Sequence, residues 1–465
     1  MPILGGMAPK WLMSLAVLTL AVAALDGAAT ASAAHHPRAA RIVAGPGHPA
    51  PVFAVDWPTY HRDNTRHGTA PGLPRVGALS VAWRAPLDGA VYGQPLVIGG
   101  RVIAATEHDT VYALSVASGT VQWSTNLGSP VPLSSLPCGN IDPLGITGTP
   151  VYDPDTGRVF VVAETNGGNH DLVGVNVTTG AVEVRVPVEP PMGDPLAHQQ
   201  RGALTLLGGR VYVPYGGLLG DCGSYIGSVV SVRTDGSGPV QSYAVPTTRE
   251  GGIWAPAGGV VDQDRLLFAV GNGESSTAFD GSDSVLALSP ELGRVDFFAP
   301  STWADDNARD LDLGSASPTL VGPYVLTAGK RGTGYVLRHD SLGGVGGEVA
   351  QASMCRSFGG SAVDDDGTVY LPCTDGTRAI AVDAAGSPTV RWHAAVAARG
   401  SPAVGGGAVW VVDYDAGTLY ALDPASGQVL AQVAVGTAPH FASPTLARQR
   451  AFVGTMAGVT AVNGA

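Results

Sequence analysis

The sequence predicts an all-β protein folded as an eight-bladed β-propeller of four-stranded antiparallel blades. Its 465 residues include 65 Gly, 45% are hydrophobic and only 14% are charged, which favours many short buried strands joined by tight turns. A short apolar motif recurs eight times, at intervals that fall from 61 to 40 residues, close to the period of a four-stranded blade. The two ends of the chain each carry part of one further blade, so joining them would close a ring and remove the exposed sheet edges.

The apolar motif marks the third strand of each predicted blade. Blade seven is the clearest: it reads SPAVGGG, AVWVVD, a turn at residues 414–417, TLYALD, the turn PASG and the strand QVLAQVAV. The longer intervals in the N-terminal half predict loop insertions there. The eight motifs are VYALS from Val111, LVGVN from Leu172, VVSVR from Val229, VLALS from Val285, YVLRH from Tyr335, AIAVD from Ala379, LYALD from Leu419 and VTAVN from Val459.

The last blade is predicted to be completed by an N-terminal strand. Residues 441–462 supply only three strands, and the segment ALSVAWRAP at residues 78–86 is a strand without a blade. Two β-sandwiches are the alternative, but a single period sustained to the end of the chain favours radial repetition. The predicted organisation is a signal peptide at 1–33, a lead-in segment at 34–76 and the propeller at 77–465.

The N-terminus has the pattern of a secretory signal peptide. Lys10 precedes an apolar stretch at residues 11–25, and the small-residue run that follows contains Ala31-Ser32-Ala33. The stretch is shorter than the roughly 20 residues that a membrane-spanning helix needs, although an uncleaved anchor is the alternative. We therefore expect a secreted or extracytoplasmic protein, cleaved near Ala33, with no membrane span.

Charge and cysteine content exclude several functions. The formal net charge is −12 and there is no Lys/Arg-rich run, so nucleic acid is not an expected partner. Cys138, Cys222, Cys355 and Cys373 are candidates for two disulfides in an oxidising compartment, and three pairings are open at this point. Their spacing contains neither C-x-x-C nor C-x-x-C-H, which disfavours a zinc ribbon and a c-type haem.

The turns between the third and fourth strands resemble those of a known family. ALSVASGTVQW from Ala113, ALDPASGQVLA from Ala421 and the lead-in DWPTYHRDNTRHG from Asp56 resemble the tryptophan-docking repeats of quinoprotein (PQQ-dependent) dehydrogenase-like propellers. That superfamily also includes BamB-like propellers, which use the fold without catalysis. The resemblance implies an exported PQQ- and Ca²⁺-dependent dehydrogenase that oxidises an alcohol, polyol or sugar and passes electrons to a diffusible acceptor. Its alternative is a non-catalytic scaffold that binds an envelope protein or glycan.

Propeller geometry gathers polar residues at one mouth of the central channel. Residues just before first strands and just after second strands emerge on the same face. These positions hold eleven rim residues: Gln94, Glu107, Glu164, Gln200, Arg201, Trp254, Asn272, Asp312, Lys330, Arg331 and His440. The same map places Cys355 beside Cys373 on blade six, which leaves Cys138 to pair with Cys222.

The resemblance assigns metal and cofactor contacts to four of these residues. VFVVAETNGGNHDLVGVNVTTG puts Glu164 at a Ca²⁺-ligand position, and GGIWAPAGGVVDQDRLLFAVGNGE puts Asn272 at the other. Trp254 is expected to stack on the quinone and Arg331 to contact the cofactor. Carboxylate and amide oxygens suit Ca²⁺.

The resemblance also assigns the catalytic pair. DLDLGSASPTL places Asp312 at the position of the base, with Asp310 as the alternative, and AGKRGTGYVL places Lys330 at the cationic position. An ionised Asp312 would take the alcohol proton, and Lys330 would stabilise negative charge on the quinone oxygen. Each residue also has a structural interpretation, as a turn cap, blade core or solvated charge. The family's disulfide between adjacent cysteines has no counterpart here, so the second wall of the quinone site is unassigned.

Overall fold

Residues 56–464, which the computed structural model describes, form eight β-sheets arranged as the predicted propeller. The predicted signal peptide at 1–33 and its cleavage site lie outside the described residues. Each apolar motif forms the third strand of an antiparallel sheet, as the repeat predicted. Among residues 56–464, no helix is long and apolar enough to cross a membrane.

The strands follow the blades in chain order. Two strands precede the first blade: β1 (Thr69–Ala70) and β2 (Ser80–Pro86). Blade one contains β3 (Leu96–Ile98), β4 (Arg101–Ala105), β5 (Thr110–Ser115) and β6 (Val121–Asn126), and blade two contains β7 (Val151–Asp153), β8 (Arg158–Thr165), β9 (Asn169–Asn176) and β10 (Val182–Pro187). Blade three contains β11 (His198–Gln199), β12 (Thr205–Leu207), β13 (Arg210–Gly217), β14 (Ser228–Arg233) and β15 (Gln241–Ala244), and blade four contains β16 (Val260–Asp262), β17 (Arg265–Val270), β18 (Ser284–Leu288) and β19 (Arg294–Ala299).

The second half of the ring has fewer insertions. Blade five contains β20 (Thr319–Val321), β21 (Tyr324–Ala328), β22 (Thr333–Arg338) and, after β23 (Gly344–Val345), β24 (Ala350–Ser353), and blade six contains β25 (Ala362–Val363), β26 (Val369–Leu371), β27 (Arg378–Val382) and β28 (Pro388–His393). Blade seven contains β29 (Ala403–Gly405), β30 (Ala408–Asp413), β31 (Thr418–Leu422) and β32 (Val429–Ala434), and blade eight contains β33 (Thr445–Ala447), β34 (Arg450–Thr455) and β35 (Gly458–Asn463). The helix α1 (Trp303–Arg309) and three 3₁₀ turns (Leu133–Ser135, Pro195–Ala197 and Leu313–Ser315) lie in the connecting loops.

Closure of the ring follows the prediction. β2 pairs antiparallel with β35, so the N-terminal strand becomes the outermost strand of blade eight. Three blades carry an extra short strand: β1 pairs parallel with β29, β11 pairs with β13 and β23 pairs parallel with β19. β2 thus supplies the fourth strand of blade eight and pairs with the outer edge of β35, which the last three strands leave open.

Neighbouring blades are joined by tryptophans that dock on glycine turns. The indole nitrogen of Trp123 on β6 donates to the carbonyl of Val177 in the next blade, at 3.1 Å. Gly180 in that turn has φ +76°, and a β-carbon there would lie 2.8 Å from the Trp123 ring. Trp392 docks on Gly427 of blade seven in the same way. Glycine is needed because the turn is left-handed and the ring occupies the place of a side chain.

A channel plug, residues 56–70, runs along the inner edges of the first strands. Its buried residues include Trp57, Tyr60, His61 and Arg66. Hydrogen bonds join the plug to all eight blades, through Val97, Tyr152, Leu206, Val261, Leu320, Val363, Val404 and Ser443 in blade order. Residues 56–70 of the lead-in segment therefore contact every blade in addition to connecting to the first one.

Candidate functional site

A cavity of about 360 Å³ opens at the channel mouth where the first strands begin. This volume lies within the range of small-molecule sites. A separate space of about 20 Å³ is lined by Tyr60 of the plug together with Arg201 and Phe441, which also line the cavity. Six of the eleven predicted rim residues line the cavity: Arg201, Trp254, Asn272, Asp312, Lys330 and His440.

Asp312 is the most constrained acid of the cavity. It precedes the 3₁₀ turn Leu313–Ser315 and is 2% exposed. Its Oδ1 accepts the backbone N–H of Asn272 at 2.6 Å, and its Oδ2 forms an ion pair with Lys330. Burial raises the pKa of Asp312 to about 6, against the opposing effect of Lys330. The ion pair with Lys330 favours the ionised form, so Asp312 presents a carboxylate to the cavity.

Lys330 bridges two carboxylates. Its Nζ donates to Asp310 Oδ1 at 2.6 Å as well as pairing with Asp312. Burial lowers the pKa of Lys330, but the two carboxylates outweigh this and raise it above its usual value, so the ammonium group stays charged. Asp310 caps the C-terminus of α1 and its side chain is 61% exposed, outside the cavity lining. Of the two candidate bases, the geometry brings Asp312 to the cavity.

Trp254 lies in a cradle of glycine backbone. A β-carbon at Gly252 would lie 2.6 Å from the indole Cδ1, and one at Gly216 would lie 2.8 Å from the Trp254 Cβ. A β-carbon at Gly271 would come within 2.7 Å of Asp312 Oδ1. These glycines allow the ring and the carboxylate to approach the backbone, which fixes one wall of the cavity.

Asn272 follows β17 and is held from two directions. Its backbone N–H donates to Asp312, and its Nδ2 donates to Glu250 Oε2 at 3.2 Å. Burial raises the pKa of Glu250, and the guanidinium of Arg249, 2.6 Å from its Oε1, opposes that rise. Glu250 is a residue that sequence reasoning missed, because it lies in the loop before Trp254 and matches no motif.

Glu164 is not among the residues that line the cavity. It lies near the end of β8 in blade two, whereas Asn272 follows β17 in blade four. Glu164 is 2% exposed, and its Oε1 accepts the backbone N–H of Gln200 and lies 3.8 Å from His170 Nε2. Burial raises the pKa of Glu164 to about 7. Its side chain thus caps the loop that leads into blade three.

The same capping arrangement occurs one blade earlier. Glu107 follows β4, and its Oε2 accepts the backbone N–H of Gly145 at 2.8 Å and the hydroxyl of Thr147 at 3.1 Å. Glu107 does not line the cavity. In both blades, a carboxylate at this position thus accepts a backbone N–H from the loop that leads into the next blade.

The structure also places Arg331, Gln94 and Gln200 outside the cavity lining. The Arg331 guanidinium pairs with Asp305 and Asp306 of α1, so it anchors that helix and does not reach the cavity. Gln94 joins the plug to blade eight, because its Oε1 accepts from Trp57 and His61 and its Nε2 donates to Ser443. The backbone N–H of Gln200 donates to Glu164, and its Nε2 donates to the carbonyl of Gly202.

Arg201 is the second cation of the cavity and, unlike Lys330, has few hydrogen-bond partners in the protein. Its guanidinium lies 5.1 Å from the centre of the Phe441 ring and 5.7 Å from that of Tyr92. Its one hydrogen bond within residues 56–464 goes to the carbonyl of His440, at 3.3 Å. Burial lowers the pKa of Arg201 without neutralising it. A cation with so many unused donors is suited to an anionic ligand group.

Aromatic side chains form a wall that the sequence did not identify. Phe358 and Phe441 stack with ring centres 5.8 Å apart, and both line the cavity with Tyr92 and His440. These residues come from blades one, six and eight, whereas Trp254 belongs to blade four. They supply flat apolar surface in a site that lacks a disulfide between adjacent cysteines.

Both predicted disulfides are present. Cys355 pairs with Cys373, and Cys138 pairs with Cys222. The second bridge joins the loop before blade two to the loop at 218–223, and Leu218, Leu219 and Asp221 of that loop line the cavity. Disulfides persist in oxidising, extracytoplasmic compartments.

Comparison with known proteins identifies the family. A family profile described as "Outer membrane protein assembly factor BamB" matches residues 79–213 and 327–465. These matches cover more than half of the chain, which therefore belongs to this family of PQQ-repeat propellers.

The relatives include quinoprotein enzymes. The chain is similar to a polyvinylalcohol dehydrogenase from Sphingopyxis sp. (strain 113P3), at 25% identity over 86% of this chain and 69% of the relative. A solved quinohemoprotein alcohol dehydrogenase from Pseudomonas putida HK5 matches with a TM-score of 0.68 and 14% identity, over 88% of this chain and 80% of that one. BamB from Moraxella catarrhalis matches with a TM-score of 0.56 and 17% identity, over 83% and 97%. The two structural matches show a shared fold.

Proposed function

We propose that this chain is an exported quinoprotein dehydrogenase that binds PQQ in the cavity and oxidises an alcohol, polyol or sugar. The observation that carries the proposal is the convergence of Asp312, Lys330, Trp254 and Asn272 on one cavity of suitable volume. The names of the quinoprotein relatives support the reaction class. The two disulfides support export, with the signal peptide at residues 1–33 as the proposed leader.

The residues of the cavity fit a planar quinone that carries carboxylate groups. Trp254 offers a flat surface, and Arg201 and Lys330 offer positive charge to the acidic groups. For Ca²⁺, Asn272 Oδ1 is a cavity oxygen that no residue of 56–464 engages. Both oxygens of Asp312 are held, by the Asn272 N–H and by Lys330, whereas Glu164 accepts from Gln200 through Oε1 alone. An amide oxygen suits a hard cation, and a carboxylate donor would come from Glu164 Oε2 or from the acid groups of the quinone.

The protein's own part in the reaction is proton transfer and orientation. PQQ, when bound, supplies the capacity to accept a hydride from the alcohol carbon. The ionised Asp312 accepts the hydroxyl proton of the substrate, which requires hydrogen-bond contact between its carboxylate and that hydroxyl. Lys330 keeps Asp312 ionised and adds positive charge at the same wall. The aromatic residues Phe358 and Phe441 exclude water from the opposite side.

A non-catalytic scaffold that binds an envelope protein or glycan is the second candidate. Two observations favour it: Lys330 is already satisfied by Asp310 and Asp312, and Glu164 is turned into a structural contact. The family profile is also named for an assembly factor. On this alternative the polar cavity would be a vestige of the fold.

Reconstitution separates the two candidates. The purified chain is mixed with PQQ and saturating Ca²⁺, and dye reduction is followed with a panel of primary, secondary and polyhydric alcohols. The dehydrogenase proposal expects a rise in Tm on adding PQQ and alcohol-dependent dye reduction. No rise in Tm and no dye reduction would overturn it and leave the scaffold.

A further inference from the structure

The backbone of Asn272 is fixed, so only its side-chain orientation is free to vary. Its N–H donates to Asp312 Oδ1 at 2.6 Å, and its carbonyl accepts the N–H of Gly251 at 2.7 Å. The residue also lines the cavity. Which atom of its amide faces the cavity therefore decides whether Asn272 offers an oxygen or an N–H₂ group there.

Glu250 decides that orientation. Its Oε2 lies 3.2 Å from the Asn272 amide nitrogen, and its Oε1 lies 2.6 Å from the Arg249 guanidinium, which favours the ionised carboxylate. A carboxylate accepts hydrogen bonds but does not donate them. The N–H₂ group must therefore face Glu250. The Asn272 Oδ1 points away from Glu250 and accepts no hydrogen bond from the described residues 56–464, which leaves it for a ligand.

Glu250 is itself held rigidly. Its Oε1 lies 2.6 Å from Arg249 Nη1, its N–H donates to the carbonyl of Tyr225 and its own carbonyl accepts from Gly227, both at 2.8 Å. Its side chain is 11% exposed. It does not line the cavity and so lies behind Asn272.

Arg249 extends the contact to the disulfide-linked loop. Its guanidinium donates to the carbonyl of Asp221 and, at 3.3 Å, to that of Gly223. Both residues flank Cys222, which is bonded to Cys138. A continuous set of contacts thus runs from the loop over the cavity, through Arg249 and Glu250, to Asn272.

We infer that Glu250 is a positioning residue for a cation site at the cavity, which turns the carbonyl oxygen of Asn272 toward the bound ion. The inference rests on the proposed function, because it presumes that the cavity takes a cation. In it, Glu250 acts through Asn272 and does not touch the ion. It is thereby distinct from Glu164, which the structure engages elsewhere.

Cation affinity tests the inference without relying on turnover. The full chain is titrated with Ca²⁺, with and without PQQ, and followed by Tm; Tb³⁺ emission excited through tryptophan gives a second readout. We expect Glu250→Gln to weaken Ca²⁺ binding by about 10- to 100-fold, as loss of an outer-shell partner commonly does. Glu274→Gln is the matched control, because Glu274 contacts the same arginine at 3.4 Å but not Asn272. Glu274→Gln should leave the Ca²⁺ affinity within about threefold of the wild-type value.

A double-mutant cycle establishes the route of the effect. If Glu250 acts through Asn272, the variant Glu250→Gln/Asn272→Ala binds Ca²⁺ no more weakly than Asn272→Ala alone. Additive losses, or an unchanged affinity in Glu250→Gln with a Tm equal to that of the wild type, would overturn the inference and leave the proposed function standing. Failure of the wild type to bind either PQQ or Ca²⁺ would overturn both. Glu250→Ala provides a second variant if Glu250→Gln does not fold.

Discussion

A buried arginine in the channel plug and a partly exposed arginine in the cavity show how the two regions differ. Arg66 in the plug donates from Nε, Nη1 and Nη2 to five acceptors, including the carbonyl of Gly259 and the hydroxyl of Thr205. Arg201 in the cavity has one hydrogen bond, at 3.3 Å, and two aromatic neighbours. The Arg66 guanidinium is thus held by acceptors of the plug and of the neighbouring blades, as a buried structural cation requires. The Arg201 guanidinium keeps most of its donors without a partner among residues 56–464, which suits a ligand-binding role.

The largest expected effect concerns the base of the cavity. Asp312→Asn should lower turnover by about 10²- to 10⁴-fold, because the amide cannot accept the alcohol proton. PQQ affinity, measured by fluorescence titration, should change little. Asp310→Asn is the control, since Asp310 also contacts Lys330 but is exposed outside the cavity lining. An equal loss of turnover in both variants would contradict the assignment of Asp312.

A substitution in the plug should lower the stability of the protein and leave ligand binding unchanged. Arg66→Met leaves several buried carbonyl and hydroxyl acceptors without a donor and should cost about 3 kcal/mol or more of unfolding free energy. Thermal unfolding should show this as a Tm lowered by several degrees. An unchanged Tm would mean that the plug does not hold the blades together.

The plug also predicts an acid sensitivity. Burial lowers the pKa of His61 to about 4, whereas an unfolded histidine titrates near 6.5. Because the folded pKa is the lower one, neutral His61 stabilises the folded state above about pH 6.5. This stabilisation is lost as the pH falls toward 4, by up to about 3 kcal/mol. The unfolding free energy, measured between pH 7 and 4.5, should therefore fall more steeply with decreasing pH for the wild type than for His61→Gln. Parallel curves would show that His61 is not the responsible group.

The cavity arginine should show the opposite behaviour to Arg66. Arg201→Met should weaken PQQ binding by about 10- to 100-fold, the contribution of a charge-assisted hydrogen bond of roughly 1.5–3 kcal/mol. Its Tm without ligand should stay close to that of the wild type, because Arg201 satisfies few partners in the protein. A large fall in Tm with unchanged PQQ affinity would reverse the roles given to the two arginines.

The fold was predictable because its signals are local. The repeat placed β2 in the last blade, and Gly119, Gly180 and Gly427 stand in turns where only a residue without a side chain fits. The channel plug was not predicted, because its partners, such as Ser443 for His61, are hundreds of residues away in the chain. No local pattern encodes such contacts.

The site was predictable in part for a geometric reason. A position at the end of a second strand fixes how far along the channel a residue lies, and this brought Asn272 and Lys330 to the cavity. It does not fix which way the side chain turns, so Glu164 turns into the loop of the next blade. The disulfide Cys355–Cys373 followed from the same map because both residues belong to one blade. The role of Glu250 could be recognised only from its contact with Asn272, which the sequence does not show.

Calorimetric titration of the wild-type chain with PQQ at saturating Ca²⁺ tests the central claim most directly. The cation Arg201, with its unused donors, and the flat wall of the cavity predict one binding site per chain, with quenching of the tryptophan emission to which Trp254 contributes. Binding in Arg66→Met should persist at temperatures where that variant is folded, while binding in Arg201→Met should weaken. No heat of binding and no quenching in the wild type would contradict the claim that this cavity is a quinone site.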